Sequence, residues 1–232
     1  MFLLLVACLA IAACAPRRPE ALPPTPKPAA PHAAVPNGAR VYEIDADTST
    51  VTMLVGRAGK LSSFGHLHVL TSGSETGRVW FGATPDLSGF EVRLLVSEFV
   101  VDDPQARAAA GPEYAAKVPD DARTGTRRNL LGPDVLDAAN HPEVVVSSIG
   151  PLETSAPQAV NARMVVRGAQ QELVVPVEAT VSDGAVTAKG SFRIRQSDFG
   201  IKPLSIAGGV VAVADEVDVR FDIVARVVGA GR

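Results

Sequence analysis

The sequence predicts an all-β domain, an antiparallel barrel or sandwich broken by one helical excursion. Three observations predict it. Apolar and polar residues alternate with period two through most of the chain after Arg40. Short turn signals separate these runs, and between Pro104 and His141 the apolar spacing changes to that of a helix.

In chain order, strands are expected near 40–45, 49–57, 66–72, 76–83, 90–99, 143–150, 158–167, 171–181, 185–195 and 214–228. Val51, Met53 and Val55 alternate with Thr52, Leu54 and Gly56, and Phe192 and Ile194 alternate with Arg193 and Arg195. The last run is the longest, with Val217, Val219, Phe221, Ile223 and Ala225 on one face. Turns are signalled at Ser72-Gly73-Ser74, Thr84-Pro85-Asp86, Ser182-Asp183-Gly184 and Ala207-Gly208-Gly209. Candidate interior positions are Val51, Val55, Val92, Leu94, Val96, Val145, Val165, Val175, Phe192, Ile194, Val219, Phe221 and Ile223. Within the excursion, Asp134-Val135-Leu136-Asp137-Ala138-Ala139 predicts a short helix, and Asp120 is placed to cap another. Closing the strands into a barrel removes exposed edges, and eight strands enclose room for one small ligand.

Ahead of the strands the chain reads differently. Residues 1–13, MFLLLVACLAIAA, are apolar but too short to span a bilayer, which takes roughly 20 residues. They fit the core of a signal peptide, although no Lys or Arg precedes them. Ile11-Ala12-Ala13-Cys14 resembles a lipobox, so Cys14 is the expected lipidation site; Cys8 has similar neighbours but only seven residues before it. Two or more acyl chains on Cys14 would make a stable anchor. Ala15, rather than Asp, follows the cysteine, as in lipoproteins sorted to an outer membrane. Residues 14–39 are rich in Pro and Ala and predict an extended linker, with His32 solvated, and the barrel domain then occupies 40–232.

Composition excludes several classes. The net charge of −3 and an aromatic content of 5% provide neither a basic face nor a stacking platform for nucleic acid. Both cysteines, Cys8 and Cys14, precede the strands, so the domain has no disulfide and no thiolate site. No catalytic-triad spacing and no phosphate-cradling glycine loop is present.

Several segments, in order, resemble the YceI-like family. Tyr42-Glu43-Ile44-Asp45 with Ser49-Thr50-Val51 is similar to its opening strand pair. Asn129-Leu130-Leu131-Gly132, Leu136-Asp137 and His141-Pro142 resemble its helical excursion, and Met164-Val165-Val166-Arg167-Gly168 its hairpin. Ser197-Asp198-Phe199-Gly200-Ile201 and Asp215-Glu216-Val217 resemble its carboxy-terminal signature. The resemblance covers nearly all of 40–228 and implies a lipocalin-like antiparallel barrel with an apolar tunnel for polyisoprenoid or other amphiphilic ligands. Thr48 stands where members often carry His, whereas Gly65-His66-Leu67-His68, Val101-Asp102-Asp103-Pro104 and Thr124-Gly125-Thr126 resemble a branch with paired histidines.

The residues bearing chemistry are few. His66 and His68 sit at i and i+2, so on a strand both imidazoles face one way, toward a ligand headgroup or a metal ion. Zinc takes four ligands, or three and a water, so Glu98, Asp102, Asp103 or His141 would have to join them. Asp102 and Asp103, adjacent on a strand, point to opposite faces and read as turn-formers before Pro104. Arg127, Arg128 and Asn129 are candidates for the barrel mouth. Trp80, Leu94, Phe192, Ile194, Phe199 and Phe221 complete the ligand-binding candidates. The expected function is binding of a long apolar ligand by an envelope lipoprotein, without catalysis and with no cofactor other than a bound isoprenoid or similar lipid. A metal-dependent protein using His66 and His68, and a non-catalytic envelope interaction protein, are the alternatives.

Overall fold

The computed structural model describes residues 31–153 and 158–228. The signal segment, Cys14 and the linker through residue 30 lie outside the described residues.

The strands are β1 (Arg40–Ile44), β2 (Thr50–Ala58), β3 (His68–Ser72), β4 (Thr76–Phe81), β5 (Gly89–Leu95), β6 (Val100–Val101), β7 (Glu143–Ser148), β8 (Gln158–Val166), β9 (Ala169–Val181), β10 (Ala185–Arg195), β11 (Ser205–Ile206) and β12 (Val211–Val227). Eight of them close an antiparallel ring, β1-β4-β5-β7-β8-β9-β10-β12, with β12 returning to β1. Along one edge β12 pairs with all eleven residues of β10. Along its other edge it pairs first with β2, from Ala212 to Asp222, and then with β1, from Ala225 to Val227. The sheet therefore forks, and β2-β3-β6 flares away from β1-β4.

The fork leaves backbone groups without ladder partners. At the handover, Ser49 Oγ donates to the Val224 carbonyl at 3.2 Å and accepts from the Val224 N–H at 3.0 Å. In the crotch, Glu75 is fully buried and its Oε1 accepts the Val51 N–H at 3.0 Å. Glu75 Oε2, Ser72 Oγ and Ser74 Oγ find no hydrogen-bond partner among the described residues. Burial pushes the Glu75 carboxyl above its ordinary range, and the N–H groups of Glu75 and Val51 offset only part of that.

The excursion differs from its sequence reading. Helix α1 (Pro104–Ala110) was not expected; Asp103 Oδ1 caps it by accepting from the N–H groups of Gln105 and Ala106, with Pro104 at the first helical position. It covers the outer face of β2 and β3, where Leu54 and Val69 pack with Ala110 and Tyr114. Helix α2 (Asp120–Leu131) forms, but Pro119 is its cap residue and Asp120 instead accepts from Arg123 at 2.7 Å. Residues 134–139, expected as helix, form turns, because Asp137 adopts a left-handed φ of 49° and breaks any helical run.

The linker's end is tied to the barrel, although the His32 side chain stays 57% exposed. His32 Nδ1 and the Ala33 N–H meet the two oxygens of Glu91 at 2.8 Å each, and Arg93 donates to the Pro31 carbonyl at 2.9 Å. Glu91 and Arg93 face outward from β5 and are buried beneath this strap, with Arg93 also bonded to Glu91 and Glu143. Burial would raise the Glu91 carboxyl, but Arg93, His32 and the Ala33 N–H overcome it and hold the pKa at about 2.

Two substitutions test the fork. Ser49→Ala leaves the Val224 N–H unpaired, while the Val224 carbonyl keeps its bond from the Asp45 N–H, and is expected to cost about 1–3 kcal/mol, read as a lower Tm. A raised carboxyl contributes stability that is whole below the ordinary carboxylate range and is lost as pH rises through the raised value. Glu75→Gln, neutral throughout, is therefore expected to match the wild type in acid and exceed it at alkaline pH; parallel Tm profiles would show that the carboxyl is not desolvated.

Candidate ligand-binding site

Inside the ring is a cavity of about 600 Å³ running along the barrel axis. At its base, Val79, Phe81, Phe90, Val181 and Val186 converge, and buried Tyr42 packs among them with its hydroxyl donating to the Ser182 carbonyl at 3.0 Å. Its middle is walled by Val51, Val92, Leu94, Val175, Val219, Phe221 and Ile223. Beyond Glu153 near the base, the polar lining gathers at the opposite end, where Arg57, His66, His68, Thr126, Asn129, Gln196 and Ser205 surround the mouth.

The wall is made by strand parity and by two departures from it. Pro176 in β9 has no N–H for β10, and the β9–β10 ladder ends just below it, at Glu178 and Lys189. Gly190 faces this break. A Cβ there would lie 2.2 Å from the Pro176 carbonyl and 2.6 Å from the Phe221 ring, so only glycine fits. Phe192 and Phe221 then meet with their ring centroids 6.3 Å apart over the opened wall.

Of the ligand-binding residues expected from sequence, His66, His68, Leu94, Phe192, Ile194, Phe199 and Phe221 line the cavity. Phe199 is also core, at 3% exposure, beneath the turn in which Gly200 takes a φ of 70°. Trp80 does not line it. Its neighbours Val79 and Phe81 face in, so the indole lies on the outer face across Gly89, where a Cβ would sit 2.6 Å from the ring. Val145 and Val165, expected inside, pair with each other on the outer face, while Val144, Val146, Met164 and Val166 point in. Val96 is buried in the core without lining the cavity. Arg127 ties α2 to the carbonyls of Ser97 and Phe99, and of the three mouth candidates Arg127, Arg128 and Asn129 only Asn129 lines the cavity.

The histidines have a partner that their own segment does not reveal. His68 Nδ1 lies 2.6 Å from Asp102 Oδ2, and the Val69 N–H donates to Asp102 Oδ1 at 2.9 Å. Arg107, buried on α1, donates to the same Oδ1 at 2.5 Å and to the carbonyls of Leu67 and Ala116. Asp102 reaches this position with a φ of 54°, a strain of order 1–3 kcal/mol for a residue other than glycine. Burial would push its carboxyl up, but the bonds from His68, Val69 and Arg107 outweigh burial and hold it below the ordinary carboxylate range. The His66 ring stands edge-on to His68 with centroids 6.1 Å apart. Asp103 points away to cap α1, and among the described residues no three His, Cys, Asp or Glu side chains gather to hold a metal ion.

A closed eight-stranded ring around an apolar tunnel decides between barrel and sandwich, and the comparison with known families agrees with it. The YceI-like domain model matches residues 42–225. The chain belongs to the YceI-like family. Among solved structures, this YceI-like domain is similar to BcnA of Burkholderia cenocepacia, at 17% identity and a TM-score of 0.55, over 78% of this chain and 99% of that one. It is also similar to a polyisoprenoid-binding domain from Saccharophagus degradans implicated in plant cell wall breakdown, at 11% identity and a TM-score of 0.55, over 81% of this chain and 98% of that one. No curated protein matches the chain.

In this YceI-like barrel the tautomer of His68 follows from its partner. An ionised carboxylate only accepts, so Nδ1 carries the proton, and in the neutral ring Nε2 is a bare acceptor. Asp102→Asn offers an N–H in place of that oxygen and is expected to move the proton to Nε2. Nitrogen-15 NMR of the His68 ring reads this directly; an unchanged tautomer in the variant would mean that Asp102 does not set it.

Proposed function

We propose that the barrel binds one long apolar or amphiphilic molecule of the polyisoprenoid or fatty-acyl class, for carriage or sequestration and without turnover. One observation carries this reading: an apolar tunnel of about 600 Å³ whose polar lining, Glu153 apart, is collected at one end. Pockets that bury small molecules run from about 300 to 1,000 Å³. Burying a hydrocarbon tail there contributes about 25 cal/mol per Å² before the cost of association. The tail runs toward Tyr42, and the polar end rests beside His66, His68 and Asn129. The polyisoprenoid-binding neighbour supports the ligand class.

The bare Nε2 of His68 favours an end group that donates, such as a hydroxyl. Upstream, Cys14 behind the apolar segment supports export and acylation, which would tether the barrel to the membrane on the periplasmic side, at the outer membrane where the host has one.

Native mass spectrometry of gently extracted protein is expected to show a bound lipid in the barrel and acyl chains on Cys14. Ala188 lines the tunnel. Ala188→Phe narrows it and is expected to select shorter chains without lowering Tm. A barrel that is empty on extraction and takes up no added isoprenoid alcohol would overturn the proposal.

A further inference from the structure

We propose that the mouth of the barrel is a docking face for an anionic lipid bilayer. Two loops build it, residues 59–67 between β2 and β3 and residues 196–210 between β10 and β12. They are tied into one unit. The Leu61 N–H donates to the Val210 carbonyl at 2.9 Å, and Arg57 donates to the Gly65 carbonyl at 3.0 Å. Gly59, at a φ of 93°, lies against the carbonyls of Gly209 and Val210, where a Cβ would stand 2.5 Å from the nearer oxygen.

This rim carries four of the nine large hydrophobic residues exposed among the described residues: Leu61, Phe64, Leu204 and Ile206. Phe64 is 77% exposed and Ile206 71%. Scattered exposed apolar residues are ordinary, but a contiguous group marks a partner surface. Phe64, Leu204 and Ile206 also line the cavity, so the exposed patch and the tunnel are continuous.

The charges name the partner. From Gly56 to Gly65 and from Gln196 to Val213 the charged residues are Arg57, Lys60, Asp198 and Lys202, all exposed, three cations to one acid. Apolar side chains ringed by cations fit the headgroups and acyl boundary of an anionic leaflet. A second copy docked mouth to mouth would set these cations against each other.

The strap gives the same orientation. Arg40 lies opposite Phe81 at the base, whereas Ala33 and His32 sit on Glu91 and Pro31 on Arg93, progressively nearer the mouth end of β5. The chain thus enters the barrel from the mouth side. The purpose of docking rests on the cargo reading, since an apolar molecule could then pass between bilayer and tunnel without crossing water. Docking itself is measured without cargo.

The test places a tryptophan on the rim, Phe64→Trp, and another on the side wall, Val174→Trp, in the full chain. Both positions are exposed, so both variants are expected to fold. With vesicles of phosphatidylglycerol in phosphatidylcholine carrying brominated acyl chains, Phe64→Trp fluorescence is expected to be quenched several-fold more than Val174→Trp. Phosphatidylcholine alone, or added Lys60→Glu and Lys202→Glu, is expected to remove the difference. Equal quenching at both positions, or quenching indifferent to lipid charge, overturns docking. So does a dimer in sedimentation that Ile206→Ser dissolves while the vesicles quench nothing. Quenching by a barrel that is empty on extraction and takes up no added isoprenoid alcohol would sink the cargo reading alone, and bound lipid without quenching would sink docking alone.

Discussion

The structure depends on what happens to the backbone of β12 at Val224. A strand that pairs with β2 along one stretch and with β1 along the next must break its ladder between them, and a buried N–H or C=O left unpaired is costly. Ser49 repairs the break with one hydroxyl, accepting from the Val224 N–H and donating to its carbonyl. The Asp45 N–H adds a second bond to the same carbonyl at 2.8 Å. With that junction satisfied, the barrel can be narrow at the base, where β1 closes it, and wide at the mouth, where β2, β3 and β6 flare away. The tunnel is the space this divergence leaves.

The flare also explains where polarity is tolerated. A ring closed tightly at the base lets Tyr42, Val79 and Val186 pack together. At the top, β3 ends the flared sheet with only the two residues of β6 beside it. The chain stabilises this edge by bringing a carboxylate to it. Asp102 stands just after β6, bonds the first residue of β3 and the N–H of the next, and is neutralised by Arg107 from α1. Breaking a buried ion pair of this kind by removing one partner costs about 3–5 kcal/mol. The orientation of His68 at the mouth is thus tied to the stability of the edge itself.

Much of this was legible in the sequence because alternation reports burial directly. The ten expected strands all form, within a few residues, and the ring encloses a hollow as expected. The failures share a cause. In β7 and β8 the runs Val144-Val145-Val146 and Met164-Val165-Val166 are apolar at every position, so period two has no phase and the inward face cannot be chosen. Trp80 sits in a similar triplet with Val79 and Phe81, and its outward position is set by Gly89 across the ladder, nine residues away. Asp102 and Asp103 look equivalent as neighbours, yet one turns inward at a positive φ and the other caps α1; the difference lies in the backbone angle, which composition does not report.

The pairing of His68 with Asp102 spans 34 residues and follows from the β3–β6 register, so no local spacing could announce it. Its consequence is chemical as well as structural. The same ring on a strand with no carboxylate beside it would be free to choose its tautomer and orientation. Here one nitrogen of His68 is committed to a buried, compensated acid, and the ring is left with a single site for the tunnel. That fixes which edge of the His68 ring faces the polar end of the apolar hollow. The sequence pattern and the tunnel therefore agree on a barrel for an apolar ligand.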